Sequence, residues 1–117
     1  MAKKKWGQHF LKSKSIAESI VQAANVQYGD HILEIGPGYG ILTQALLNFN
    51  ARVTAIEIDP DLCAKLRKKF EKESNFRLFE HDVMKLETNE FGKLIKLPAK
   101  LVANLPFNIS TALLQKL

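Results

Sequence analysis

The chain has a single cysteine in 117 residues, Cys63, which excludes an internal disulfide bond. It also has no apolar run that approaches the roughly 20 residues of a membrane-spanning helix. The lysine-rich start is followed by Trp6-Gly7-Gln8-His9, where a signal peptide would carry its apolar segment. We therefore expect a cytoplasmic protein with no membrane segment, in which Cys63 is a small buried residue of a helix.

Acidic residues are absent from residues 1–14, which form a basic N-terminal arm with five lysines. A second basic group lies on one predicted helix and consists of Lys65, Arg67, Lys68, Lys69 and Lys72. Such groups are either solvated surface or positive surfaces that attract a nucleic-acid phosphate backbone. Charge alone favours neither interpretation.

Residues 15–117 alternate between strand-like and helix-like segments, without an internal repeat. Ser15-Ile16-Ala17-Glu18 predicts a capping box at the start of the first helix. The predicted strands are residues 31–35, 52–58, 76–80 and 100–103, and a further helix is expected over residues 109–117. Right-handed crossovers then predict an α/β fold with a parallel sheet in the order 3-2-1-4, and a ligand at the carboxyl ends of the strands.

The first predicted strand ends in a turn that carries Gly36, Gly38 and Gly40 before a helix begins at Ile41. Glycines here leave the backbone open to close approach by a ligand, although a tight turn alone would also use them. Dinucleotide-binding turns follow the pattern G-x-G-x-x-G, whereas here the third glycine comes one residue early and Pro37 restricts the turn. The pattern E-x-G-x-G-x-G instead resembles the first motif of class I S-adenosylmethionine-dependent methyltransferases, and this resemblance implies S-adenosylmethionine as the cofactor.

Two acids follow later strands at the same predicted edge of the sheet. Glu57 closes the second strand 17 residues after Gly40, and could accept hydrogen bonds from both ribose hydroxyls. A helix-capping role is the alternative, but Asp59 already suits that role. Asp82 follows the third strand and could accept from an adenine amine, or could be a turn acid.

The loop Asn104-Leu105-Pro106-Phe107 follows the fourth predicted strand and suggests the substrate. The amine of adenine is a poor nucleophile because its lone pair is delocalised into the ring. The Asn104 side-chain oxygen and a main-chain carbonyl near Pro106 can accept its two N–H groups, while Phe107 stacks on the base. The alternative is an asparagine turn followed by a core phenylalanine. A base in such a pocket must be unpaired or flipped out.

Several motifs together are similar to those of the KsgA family of rRNA adenine dimethyltransferases. They are Gln8-His9-Phe10-Leu11, Glu34-Ile35-Gly36-Pro37-Gly38 with Gly40, Leu42 and Thr43, Glu57-Ile58-Asp59, and Asn104 to Thr111. The related Erm enzymes usually have isoleucine at the position of Leu105 and lack the Pro37-Gly38 pairing. The resemblance implies a class I methyltransferase (Rossmann-like) fold and dimethylation of two adjacent adenines near the 3′ end of small-subunit rRNA, in ribosome biogenesis.

The resemblance also implies roles for individual residues. The cofactor-binding residues are His9, Leu11, Gly36, Gly38, Glu57, Asp82 and Asn104, and the catalytic residues are Asn104, Pro106 and Phe107. No metal and no covalent intermediate are expected. Position 9 is often asparagine in the family and position 107 often tyrosine, so His9 acts by shape and Phe107 keeps only the stacking face.

Members of this family are roughly twice as long, with three more strands and a helical C-terminal domain. We therefore expect the first half of the catalytic domain, which leaves the fourth strand as an open edge that invites self-association. A non-catalytic piece that binds cofactor or rRNA is the alternative function. A large-subunit rRNA methyltransferase of the Erm type and an NAD-binding domain are less favoured.

Overall fold

The computed structural model describes residues 13–85, 100–104 and 112–116, with backbone only for Asn104 and residues 112–116. The helices are α1 Lys14–Ala23, α2 Ile41–Asn48 and α3 Pro60–Lys69, with a 3-10 turn at Val83–Lys85. The strands are β1 His31–Ile35, β2 Arg52–Glu57, β3 Phe76–Glu80, β4 Lys100–Asn104 and β5 Ala112–Lys116. None of the helices described is long and apolar enough to cross a membrane.

The sheet has the order β3-β2-β1-β4-β5, and its first four strands are parallel. The predicted order 3-2-1-4 is therefore confirmed, together with the α/β fold class. The central strands are almost wholly buried, which explains why their sequences are apolar runs rather than alternating patterns. Because the four strands are parallel, their carboxyl ends all reach one edge of the sheet.

The end of the described chain differs from the sequence prediction. A helix was expected over residues 109–117, but Ala112–Lys116 forms β5, antiparallel to β4, with Asn104 opposite Ala112. The free N–H and C=O groups of β4 offer hydrogen bonds that override the helical propensity of leucine, glutamine and lysine. The prediction that β4 is an open edge is wrong for the same reason, since β5 pairs with β4.

Helix α1 also begins earlier than predicted. Its N-cap is Ser13, whose hydroxyl accepts a hydrogen bond from the Ile16 backbone N–H at 3.2 Å, rather than Ser15. An N-cap side chain usually accepts from the second or third backbone N–H of the first turn, which is the geometry that Ser13 adopts with Ile16. Helix α3 follows the prediction, with Asp59 as N-cap and Pro60 at the first helical position.

The core joins α1, α2, β1, β2 and β4 with the end of α3. Its largest members include Ile32, Leu46, Val53, Leu66 and Val102. Cys63 is buried, as predicted, and burial raises the pKa of its thiol to about 11. An unreactive thiol follows, because the thiolate is disfavoured.

Candidate cofactor-binding site

The glycine turn between β1 and α2 has a left-handed backbone at each of its three glycines. The φ angles are +70° at Gly36, +61° at Gly38 and +85° at Gly40. The Gly36 N–H donates to the Ile56 carbonyl at 2.9 Å, and the Gly40 N–H donates to Pro37 at 3.0 Å. Only glycine adopts three such angles at little cost, so the turn presents bare backbone at the edge of the sheet.

Gly40 also allows close packing between the turn and α3. A Cβ atom at this position would lie 2.8 Å from Cε2 of Phe70 and 3.0 Å from Cδ2 of Leu66. The third glycine of the turn therefore serves helix packing, even though it stands one residue earlier than in the dinucleotide pattern.

Glu57 connects the turn to β2, and its side chain is buried with 2% of its surface exposed. One carboxylate oxygen accepts from the Gly38 N–H at 3.2 Å, and the other accepts from the Asp59 N–H at 3.0 Å. Burial raises the pKa of Glu57, while the hydrogen bonds from the Asp59 and Gly38 backbone oppose that rise. The structure thus brings together Gly38 and Glu57, two residues predicted to bind one cofactor. The Ile58 backbone also hydrogen-bonds this carboxylate and lowers the pKa of Glu57. Ribose binding by Glu57 stays a prediction.

Asp82 follows His81, whose backbone N–H donates to the Glu57 carbonyl at 3.1 Å, so Asp82 comes directly after the point where β3 leaves β2. Its carboxylate accepts from the Met84 N–H at 3.0 Å, and its own carbonyl accepts from Lys85 at 3.0 Å. Asp82 therefore caps the 3-10 turn, which is the alternative role considered from the sequence. Its contact with an adenine amine stays a prediction.

Asn104 ends β4 on the same edge of the sheet. Ala103 pairs with Ile35, so Asn104 and Gly36 each follow directly on a paired residue of neighbouring strands. The remaining predicted site residues, namely His9, Leu11, Pro106 and Phe107, lie outside the described residues. Their roles stay predictions.

A buried acid that the site prediction did not include lies beneath the turn. Glu34 of β1 is 2% exposed, and its carboxylate accepts a hydrogen bond from the Thr43 hydroxyl of α2 at 2.5 Å. Burial raises the pKa of Glu34 to about 7, and the negative charge of Glu57 adds to the rise, while the Thr43 hydrogen bond opposes it. An acid in an apolar strand, between Leu33 and Ile35, was the signal in the sequence.

The basic residues of α3 have mixed surroundings. Arg67 lies 3.8 Å from Glu80 in an exposed ion pair. The Lys69 ammonium donates to the Tyr39 carbonyl of the glycine turn at 3.0 Å, and that of Lys65 lies 5.8 Å from the centre of the Tyr39 ring. Two lysines thus adjoin the turn, which is compatible with either interpretation of the charge. Among the described residues, no acidic, histidine or cysteine side chains cluster as a metal site.

Solved structures with a similar fold include several methyltransferases. A dimethyladenosine transferase from Plasmodium falciparum superposes with a TM-score of 0.63 and 29% identity, over 81% of this chain and 42% of that one. The 23S rRNA methyltransferase ErmE gives a TM-score of 0.59 and 29% identity, over 86% of this chain and 49% of that one. Coclaurine N-methyltransferase, with a TM-score of 0.61 at 16% identity over 76% of this chain and 34% of that one, supports the fold alone.

Similar sequences extend over nearly the whole chain. The ribosomal RNA small subunit methyltransferase A of Crocosphaera subtropica is 44% identical over 98% of this chain and 44% of its own length. The protein of that name from Pseudomonas putida is 44% identical, over 97% of this chain and 42% of its own length. The chain therefore spans less than half the length of these relatives.

A sequence model of one protein family, "Ribosomal RNA adenine dimethylase", matches residues 1–117. This match covers the arm, the glycine turn, Glu57 and the Asn104 loop together. The family expected from the motifs is confirmed, and the fold agrees with it. The chain belongs to the ribosomal RNA adenine dimethylase family.

Proposed function

We propose that this chain is the cofactor-binding part of an enzyme that dimethylates the N6 amines of two adjacent adenines in small-subunit rRNA. The observation that carries the proposal is the hydrogen bond between the Gly38 N–H and the Glu57 carboxylate, 3.2 Å long. It joins the glycine turn of β1 to the acid that ends β2, at the same edge of the sheet where Asn104 ends β4.

The chemistry of these groups fits S-adenosylmethionine. The open backbone at Gly36 and Gly38 suits the amino-acid end of this cofactor, and the acceptor oxygens of Glu57 suit the two hydroxyls of its ribose. His9 and Leu11 of the arm complete the methionine side, and Asp82 accepts from the adenine amine. When bound, the cofactor supplies a methyl group on a sulfonium, which a nitrogen can attack directly.

The substrate base is held by the segment after β4. Asn104 accepts one N–H of the adenine amine, and a main-chain carbonyl near Pro106 accepts the other, so the lone pair points out of the ring plane. Phe107 stacks on the base, which must be unpaired to enter. The names of the relatives, a dimethyladenosine transferase and small-subunit rRNA methyltransferases, support adenine in small-subunit rRNA as the substrate. Immature ribosomal subunits in the cytoplasm are then the partner.

Transfer of labelled methyl groups tests this proposal. The full-length protein, labelled S-adenosylmethionine and immature small subunits should yield labelled rRNA, and Asn104→Ala should abolish the label. Asn48→Ala is the matched control, because Asn48 is exposed on α2 and bonds only Gln44 among the described residues. Equal labelling by Asn104→Ala and the unsubstituted protein would overturn the role of Asn104.

A second function is that the 117-residue chain binds cofactor without turnover. The chain spans less than half the length of its relatives, which is the observation that favours it. Binding of S-adenosylhomocysteine by this chain with no methyl transfer would support the binding role, and robust transfer would refute it. Preference for NAD over S-adenosylmethionine in the same titration would contradict both functions.

A further inference from the structure

Glu34 places an ionisable carboxyl group in the buried interior of the sheet, which lowers the stability of the fold. It lies in the middle of the sheet, with Ala55 of β2 and Val102 of β4 as its paired neighbours, and 2% of its surface is exposed. The Thr43 hydroxyl is the one hydrogen-bond partner of its carboxyl group among the described residues. A buried carboxyl with a single partner destabilises a fold relative to an apolar side chain of similar size, so a role other than stability is expected.

The partner residue, Thr43, is equally enclosed. It is 0% exposed and lies in the first turn of α2. The N-cap of this helix is Gly40, which has no side chain, and no side-chain hydrogen bond caps the helix. The Thr43 hydroxyl donates to the Glu34 carboxyl group of β1 instead, so this hydrogen bond connects the start of α2 to the strand that precedes it.

The two residues bracket the glycine turn. Glu34 precedes Gly36 by two residues, and Thr43 follows Gly40 by three, so their hydrogen bond closes a loop that contains all three left-handed glycines. Glycine is the most flexible residue in the unfolded and unliganded chain, and three of them in five positions leave the turn with many accessible shapes. The hydrogen bond between Thr43 and Glu34 joins the two ends of this segment and so restricts the shapes that it can adopt.

Two hydrogen bonds hold the glycine turn, one where the turn leaves β1 and enters α2 (its base) and one at Gly38 in the middle of the turn (its crest). At its base, Thr43 donates to Glu34, and at its crest, Gly38 donates to Glu57. The bond at the crest involves Glu57, the last residue of β2, which is proposed to contact the ribose, whereas the bond at the base joins Glu34, inside β1, to the fully buried Thr43. The base bond is therefore suited to shape the turn without contacting what binds there.

We propose that Glu34 and Thr43 are positioning residues, whose hydrogen bond holds the glycine turn in the shape that receives the amino-acid end of the cofactor. This inference rests on the proposed function, since it takes S-adenosylmethionine as the ligand. The Glu34–Thr43 pair should affect binding of the amino-acid end of the cofactor and leave binding of the adenosine end unchanged. The residues proposed for the adenosine end are Glu57, which ends β2, and Asp82, which follows β3.

Binding measurements with two ligands test this selectivity. S-Adenosylhomocysteine carries the amino-acid end, whereas 5′-methylthioadenosine lacks it. Thr43→Val, which keeps the shape and removes the hydroxyl, should lower the affinity of the 117-residue chain for S-adenosylhomocysteine about tenfold, or about 1.4 kcal/mol. Its affinity for 5′-methylthioadenosine should stay within about twofold, on the same scale. Thr43→Ser should restore most of the loss, because serine keeps the donor.

Thr54→Val is the matched control. Thr54 is also buried, and its hydroxyl lies 2.9 Å from Nε2 of His31, in the middle of β2 and away from the turn. It loses a buried hydroxyl in the same way, so both affinities should stay as in the unsubstituted chain. If the loss of a buried hydroxyl acted only by destabilising the fold, Thr43→Val and Thr54→Val would both bind S-adenosylhomocysteine and 5′-methylthioadenosine more weakly.

The outcomes separate the two proposals. Unchanged affinity of Thr43→Val for S-adenosylhomocysteine would overturn the positioning role alone, and failure of the unsubstituted chain to bind it would overturn the proposed function with it. If Thr43→Val does not fold, Glu34→Gln and Glu34→Met replace it. Glutamine keeps an acceptor for Thr43 and methionine keeps only bulk, so equal affinity of these two variants would overturn the inference.

Discussion

The charged residues beside the glycine turn are buried acids, whereas those on the outer surface of α3 are exposed bases. Beside the turn, Glu34 and Glu57 are each only 2% exposed, and each has named hydrogen-bond partners. On α3, Arg67 and Lys69 are exposed. Arg67 forms a 3.8 Å ion pair, and the Lys69 ammonium donates to a carbonyl and lies 5.4 Å from the centre of the Phe70 ring. Buried acids interact strongly because water does not screen them, whereas exposed bases contribute little one at a time.

Because of this difference, we expect single substitutions near the turn to change the stability more than those on the surface of α3. Side chains around the turn are closely packed and its carboxyl groups are shielded from water, so substitutions there should lower the unfolding free energy strongly. Exposed lysines such as those of α3 interact weakly with other charges, and salt screens that interaction further. We expect the effects of substitution to fall steadily from the turn to the surface of α3.

The largest effect is expected at Gly40. Gly40→Ala places a Cβ atom 2.8 Å from Phe70 at a φ of +85°, so strain and overpacking should together cost about 2–5 kcal/mol of unfolding free energy. Urea unfolding measures this loss. Gly29→Ala is the control, because Gly29 has a φ of +78° but nothing within 4 Å of its Cβ position. It should lose only the strain, about 1–2 kcal/mol. Equal losses would show that packing against α3 is unimportant.

The next effect is the pH dependence that Glu34 confers. Its pKa is raised from 4.5 to about 7 in the folded chain by burial, so between these values the folded state retains a proton that the unfolded state loses. Stability should therefore fall as pH rises from about 4.5 to 7, by at most about 3 kcal/mol. In Glu34→Gln this loss should be absent.

Urea unfolding of both proteins at pH 5, 6, 7 and 8 checks this expectation. The difference in unfolding free energy between Glu34→Gln and the unsubstituted chain should grow in favour of the variant up to about pH 7 and then level off. A difference that does not change with pH would mean that Glu34 has an ordinary pKa.

A smaller effect is expected at the start of α3. The Asp59 carboxylate accepts from the Asp61 and Leu62 N–H groups, at 2.9 and 3.4 Å. Asp59→Ala should lower the unfolding free energy by about 1–2 kcal/mol, and Asp59→Asn by less, because asparagine also caps helices. Thermal unfolding followed by circular dichroism measures both. Equal losses in the two variants would contradict the capping role.

The smallest effect is expected on the outside of α3. Glu80→Gln removes the exposed partner of Arg67, at a distance of 3.8 Å, and should change the unfolding free energy by less than about 0.5 kcal/mol. A loss above 1 kcal/mol in urea unfolding would mean that this surface is more strongly coupled to the fold than its exposure indicates.

Much of the fold could be predicted because local and long-range signals agree. Apolar runs marked the central strands, Asp59-Pro60 marked the start of α3, and right-handed crossovers left the order 3-2-1-4. The predicted N-cap of α1, Ser15, was wrong by two residues, because the structure begins the helix at Lys14 with Ser13 as its cap. The last strand was missed because the propensity of residues 112–116 favours a helix, and only the neighbouring edge of β4 makes a strand favourable.

The candidate site divides in the same way. The sequence alone determined the glycine turn, its acid Glu57 and the family, because residue types at fixed spacings carry those signals. Only the tertiary structure decided that Gly38 bonds Glu57, that Gly40 packs on Phe70, and that Thr43 bonds Glu34. The reason is physical: spacing along the chain fixes which elements form, whereas hydrogen bonds between elements depend on how closely packing and burial bring them together.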